Sequence, residues 1–175
     1  IERLGGADWF EQSAQRYHLA SPSRCGDLQY IGQHYPSFLE DELGATPHAY
    51  FADVARLEWA YQEVLTAADS PVLSPGQLAG LDPVDHERVV FVPRAALRLV
   101  ESAYPLLQIW NVNRQQSDAE VRLDAGGDAL MLVRREDHVE LRQLRPATAA
   151  LLRQFLQTVP FAEAASKAID ESPEL

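Results

Sequence analysis

Lysine is almost missing from this chain: Lys167 stands alone beside 14 arginines. Acidic side chains outnumber basic ones by 26 to 15, for a net charge of -11 and a pI near 4.8. Affinity for nucleic acid is dominated by clustered Lys and Arg on phosphates. The bulk charge therefore argues against that role, leaving only a local arginine patch as a route to it. There is one cysteine, Cys25, so no disulfide can close within the chain. A reduced, cytoplasmic setting is the expectation. Long apolar runs are missing too. The longest, near VVFV and LMLV, fall far short of the roughly 20 residues that a membrane span needs. The start, IERLGGADWF, has no basic region followed by an apolar stretch, as a signal peptide would. It also lacks a methionine, and a preceding segment is the expectation.

What is present is a proper core-forming composition, with 46% apolar residues. At 175 residues the chain suits one large domain or two small ones. The first half is helical in period. Trp9, Phe10, Ala14, Tyr17 and His18 recur at helical spacing over residues 7–19. SPSRCGD interrupts them, and Asp27 is placed to cap a short helix over LQYIGQHY. Pro36 suits the first turn of the next helix, PSFLEDEL. A long helix is predicted over 49–69, with Phe51, Val54, Leu57, Tyr61, Leu65 and Ala68 in one stripe and Ala60 and Val64 beside it. From Ser70 to Pro83 prolines and glycines mark a connector, with a brief helix in SPGQLAGL.

The second half changes period. Val89–Val92 and Ala96–Glu101 read as short strands bent apart at Pro93, and Pro105–Asn113 as a short buried helix. Val121–Leu123 reads as another short strand. The GGD turn leads into Ala129–Arg134, the REDH turn and Val139–Leu144, a hairpin. Pro146 opens a helix through 157, with Ala150, Leu151, Gln154 and Phe155 spaced for burial, and 161–169 is the last helix. The fold class is α+β. A helical domain over 1–80 precedes a small domain over 86–175, winged-helix-like or peptide-recognition-like, with an antiparallel hairpin and helices.

Reaction chemistry is poorly supplied. GxSxG, GxxxxGK[ST] and GxGxxG are all missing. His18, His34, His48, His86 and His138 form no HxH or HExxH pair, so no metal ligands are assigned. His86, within DPVDHE, fits a solvated acidic loop better than a metal site. Arg24 beside Cys25 can depress a thiol pKa, but a nucleophile also needs a positioned base. Packing is the plainer reading of Cys25, and no catalytic residue is assigned. Glu40–Glu42 suit a solvated helix end better than an acid–base pair. Gly126–Gly127 and Asp128 suit a turn. Asp53 and Arg56 are spaced for an ion pair that orients helices. The most suggestive feature is Val139–Leu144 followed at once by the helix from Pro146. A strand edge beside a helix can accept an extended peptide through main-chain hydrogen bonds.

Three stretches are familiar. SPSRCGDLQYIGQHYPSFLE carries a small-residue turn, Gly-Asp-Leu, an aromatic residue, a glycine and Pro-x-Phe-Leu. PHAYFADVARLEWAYQEVLTAAD carries Ala-Asp-x-Ala-x-Leu-Glu-Trp-Ala, and FVPRAALRLVESAYPLLQIWNVN carries Tyr-Pro-x-x-x-Leu/Ile-Trp. Over about residues 8–165 the chain resembles the HvfC/BufC family, long labelled a DNA-binding domain. Cys25 departs from the small residue the family more often has at that position.

The resemblance implies a non-catalytic accessory subunit. Family members are encoded beside a TIM-barrel protein that binds several iron ions. The pair forms a heterodimer in methanobactin biosynthesis and related peptide-modifying pathways. There the barrel oxidises a cysteine of a precursor peptide, and the small subunit helps hold the leader. The expected partners are thus the iron-binding oxygenase subunit and a leader peptide, with iron on the partner and no cofactor in this chain. The helical half is expected to face the barrel, with Arg56, Trp59, Tyr30 and Tyr35 as contact candidates. Val139, Leu141 and Leu144, with Leu152 and Phe155, are the candidates for the peptide. Two alternatives stay open. One is a DNA-binding transcriptional regulator using Arg134, Arg135, Arg142, Arg145 and Arg153. The other is an enzyme using Cys25.

Overall fold

The computed structural model describes residues 1–22, 26–117 and 119–171. Helices α1 (Glu2–Gly5), α2 (Ala7–Ala20), α3 (Tyr35–Leu43), α4 (Tyr50–Thr66) and α5 (Pro75–Ala79) precede strand β1 (Leu97–Ser102). Then come α6 (Leu106–Arg114), β2 (Asp128–Arg135), β3 (His138–Gln143), α7 (Pro146–Leu156) and α8 (Phe161–Glu171). The fold is α+β, with one three-stranded antiparallel sheet in the order β1-β2-β3. Among the described residues no helix is long and apolar enough to cross a membrane. The chain forms two compact units that interleave in sequence. One is Ile1–Tyr61 with Ser102–Asp128; the other is Gln62–Glu101 with Ala129–Leu175. These bounds differ from a division into 1–80 and 86–175, because residues 102–128 pack with the N-terminal helices.

In the first unit α4 is the central element. Phe51, Ala52, Val54, Ala55, Leu57 and Ala60 are buried along it, at the i, i+3, i+4 spacing of one helical face. Leu65 is 39% exposed and Ala68 lies beyond the helix end, so the predicted stripe stops sooner than expected. A polar-tipped aromatic cluster ties α2 to α3. The Tyr17 hydroxyl donates to Ile31 O at 2.6 Å, and the Tyr35 hydroxyl donates to the buried Ser13 Oγ at 3.0 Å. Buried hydroxyls find partners because an unpaired one is costly. Between these helices LQYIGQHY forms only a 3₁₀ turn at Leu28–Tyr30, where Asp27 Oδ1 accepts from Gln29 N–H.

The GGD stretch does more than turn the chain. A Cβ on Gly127 would stand 2.2 Å from Ser102 O, so glycine lets two backbone segments touch. Asp128 then turns its carboxylate to Leu107 N–H, 2.8 Å away, and satisfies an open donor at the start of α6. Val121–Leu123, expected as a strand, has no ladder. The chain there is irregular, and Arg122 pairs with Asp124.

In the second unit the hairpin register is Leu130↔Gln143, Leu132↔Leu141 and Arg134↔Val139. Its two-residue turn places Glu136 at φ 53. Leu130 and Leu132 are fully buried. Helices α7 and α8 meet through buried Ala149, Ala150, Ala164 and Ala168, small enough to bring the two backbones close. The brief helix expected in SPGQLAGL is α5, and it carries a capping box: Ser74 Oγ accepts from Gln77 N–H, and Gln77 Oε1 accepts from Ser74 N–H. Val89–Val92, expected as a strand, is extended but joins no sheet. Its register is set instead by Phe91, which packs on Phe155 and Phe161, and by Val89 O, which accepts from Phe161 N–H.

Candidate functional site

Strand β3 is an edge, with β2 as its neighbour in the sheet order. Leu144 N–H donates to Ala129 O at 2.8 Å. In an antiparallel ladder, residues alternate between facing the partner and facing away. Carried through the register, Leu144, Arg142, Glu140 and His138 point their backbone groups at β2. Val139 and Leu141 point theirs outward. Their side chains share a sheet face with Leu132 and Arg134, so Val139 is buried and Leu141 half-buried. Leu144 lies just past the strand, and Leu152 is half-buried on α7. Phe155 is engaged elsewhere: its ring lies 5.0 Å from Phe91 and stacks with Phe161 at 6.3 Å. Val139 and Leu141 are thus brought together on one edge, while Phe155 belongs to a packed cluster.

On the exposed face of the hairpin, Glu140 accepts from Arg142 at 2.8 Å and from Arg135 at 3.3 Å. The Arg142 hydrogen bond, helped by the Arg142 charge and by Arg135, holds the Glu140 carboxyl below its usual range against an opposing desolvation. Arg134 points into the other side of the unit, onto the last carbonyls of α4. Arg153 binds Glu101 through two nitrogens and also reaches Glu171, which raises its pKa.

The four contact candidates of the first unit do not share one role. Arg56 bridges Asp53 on its own helix and Glu40 on α3, the helix-orienting pair its spacing allowed. Tyr35 is held by Ser13 and by the rings of Phe10, Tyr17 and Phe38, and burial raises its phenol pKa. Trp59 is half-buried against Gly32. Tyr30 is the most open, at 52% exposure. Cys25, with Arg24, lies outside the described residues.

Two features escaped the sequence reading. The first is a cleft of about 530 Å³ in the first unit, lined by residues 1–4 together with Val54, Glu58, Tyr61, Ile109, Trp110 and Arg114. The Arg114 guanidinium lies over the rings of both Tyr61 and Trp110, at 5.7 and 5.6 Å. Trp110 and Arg114 sit four apart on α6, a visible i,i+4 pair; Tyr61 comes from a distant helix. The second is a run of exposed apolar side chains between residues 72 and 92. Val72, Leu73, Leu78, Leu81, Val84, Val90 and Val92 are all exposed. Among the described residues no group of three His, Cys, Asp or Glu side chains is placed to hold a metal ion. No family model, curated protein or solved structure matches this chain.

Proposed function

We propose that this chain is a non-catalytic accessory subunit that binds a TIM-barrel multinuclear iron oxygenase and helps recognise the leader of a precursor peptide. The observation that carries the reading is the outward edge of β3, where Val139 and Leu141 offer backbone donors and acceptors beside one buried and one half-buried apolar side chain. An extended leader adds to such an edge by main-chain pairing, and flanking side chains select its sequence. The resemblance of the central helix and of the Tyr-Pro-x-x-x-Leu/Ile-Trp segment to the HvfC/BufC family supports the oxygenase as partner. The seven exposed apolar side chains between residues 72 and 92 favour a protein partner where they adjoin one another, since contiguous apolar patches mark interaction sites. Iron in this reading belongs to the barrel.

Of the five arginines the regulator reading needs, four are engaged within the chain and only Arg145 is exposed without an ion pair among the described residues. Arg134 is spent on α4 carbonyls, Arg135 and Arg142 share Glu140, and Arg153 is held by two glutamates. A paired arginine offers little field to a phosphate backbone.

The test has two arms. Co-expression with the neighbouring barrel protein is expected to give a stoichiometric complex with iron on the barrel. In that complex, the leader is expected to slow amide exchange at Val139 and Leu141, and Leu141→Arg to weaken leader binding by tenfold or more. A chain that purifies alone, or a leader that leaves the β3 amides unchanged, overturns the proposal. Amide exchange on the parent complex decides the matter even where Leu141→Arg disturbs folding.

A further inference from the structure

The segment Val89–Arg94, which follows a 3₁₀ helix over Pro83–Arg88, behaves like a strand whose neighbour is missing. Its composition, VVFV between two arginines, favours extended backbone through β-branched and aromatic residues. Its burial alternates with the period of a half-buried strand. Val89, Phe91 and Pro93 are half-buried, with Phe91 anchored on Phe155 and Phe161. Arg88, Val90 and Val92 are exposed, Val90 by 45% and Val92 by 82%. Among the described residues neither Val90 nor Val92 makes a backbone hydrogen bond. An extended segment with open donors and acceptors and outward valines is what edge-to-edge pairing requires.

The charges at its ends say what it pairs with. In a chain of net charge -11, most of the described arginines have an acidic partner. Arg88 and Arg94 have none among the described residues, and Arg94 Nε is buried without any hydrogen bond. A second copy of the chain fits poorly. Two-fold antiparallel pairing centred on Phe91 brings Arg88 towards Arg94, and centring on Val90 or Val92 sets no carboxylate opposite either arginine. Like charges directly opposite one another are destabilising.

We infer that Val89–Val92 is a docking strand for an extended segment of a partner protein, one with alternating apolar residues and a carboxylate near each end. The pairing supplies main-chain hydrogen bonds to Val90 and Val92. The two carboxylates take up the guanidinium groups of Arg88 and Arg94. The inference rests on this segment alone and holds whether or not β3 receives a leader.

The probe is the acetylated, amidated heptapeptide Glu-Thr-Val-Thr-Val-Thr-Glu, whose carboxylates share one face as Arg88 and Arg94 would, with Lys-Thr-Val-Thr-Val-Thr-Lys as its charge-reversed control. Titration into the full chain is followed by backbone NMR and amide exchange. The acidic peptide is expected to saturate below millimolar concentration, to shift and protect the Val90 and Val92 amides, and to leave Val139 and Leu141 unchanged. The lysine peptide is expected to bind at least tenfold more weakly. Val92→Asp, at a side chain largely in solvent, is expected to weaken the acidic peptide at least fivefold with an unchanged melting temperature. Arg94→Gln is expected to narrow the difference between the two peptides. Equal binding of both peptides, no saturation, or protection confined to β3 overturns the inference. So does concentration-dependent dimerisation that Val92→Asp abolishes, which would give the strand to a second copy.

Discussion

Replacing Arg134 with alanine asks how much one side chain contributes to the second unit. Arg134 is only 13% exposed although it carries a full charge. Its Nη1 donates to Leu65 O at 2.9 Å and to Ala67 O at 2.6 Å, and its Nη2 to Asp69 Oδ1 at 2.6 Å. The last carbonyls of a helix have no intrahelical donor, so the guanidinium closes the end of α4 from β2. The Asp69 side chain is 97% exposed, so that ion pair adds at most about 1 kcal/mol. Hydrogen bonds to charged groups contribute roughly 1.5–3 kcal/mol each, less what water restores to carbonyls it can reach. The expected loss for Arg134→Ala is therefore about 2–4 kcal/mol. In a chain of this length that corresponds to a melting temperature lower by roughly 5–15 °C. Arg134→Lys retains the charge but not the fork and is expected to recover about half. Asp69→Ala is expected to cost under about 1 kcal/mol. Urea denaturation followed by circular dichroism measures all three. An Arg134→Ala protein within about 0.5 kcal/mol of the parent, or no more affected than Asp69→Ala, would refute the assignment of the α4 end to this arginine.

Gly127→Ala is expected to cost about 3 kcal/mol or more, because its new Cβ would meet backbone, Ser102 O at 2.2 Å, which cannot rotate away. Near-parental stability in a thermal melt would show that the close approach is not required. Glu140 gives a pH signature. Its carboxyl is held below the usual value of 4.5 by the Arg142 hydrogen bond first and the arginine charges after it. A depressed carboxylate contributes stability above the unfolded value, and that contribution disappears as pH falls through the folded one. The stability difference between the parent and Glu140→Gln should accordingly be constant from neutral pH down to about pH 5 and shrink below pH 4.5. A difference that grows on acidification would contradict the sign.

The elements that sequence period predicts best are those whose partners lie close along the chain. The stripe of α4, the capping box of Ser74 and Gln77 and the hairpin around Glu136 are all local. Each needs only spacing or turn chemistry to be legible. The features that carry the candidate sites are not local. Arg134 finds its acceptors 67 and 69 residues away, and Asp128 finds Leu107 at a separation of 21. In the sequence the first is a charge in a strand and the second a residue beside two glycines. The leader candidates divide along the same line. Val139 and Leu141 share an edge because alternation within one strand puts them there. Phe155 is taken by Phe91, 64 positions earlier, and no helical period announces that pairing. Val89–Val92 is the instructive case, because its composition asks for a strand and its backbone is extended, yet no ladder forms. The inward half of the pattern is satisfied by Phe91 on α7 and α8. The outward half, Val90 and Val92 between two arginines without acidic partners among the described residues, stays open. A sequence that specifies a half-buried strand and leaves its edge unpaired gives up hydrogen bonds and apolar burial that a second chain can supply. That is a stronger reason to look for a partner at this segment than exposure of the valines alone.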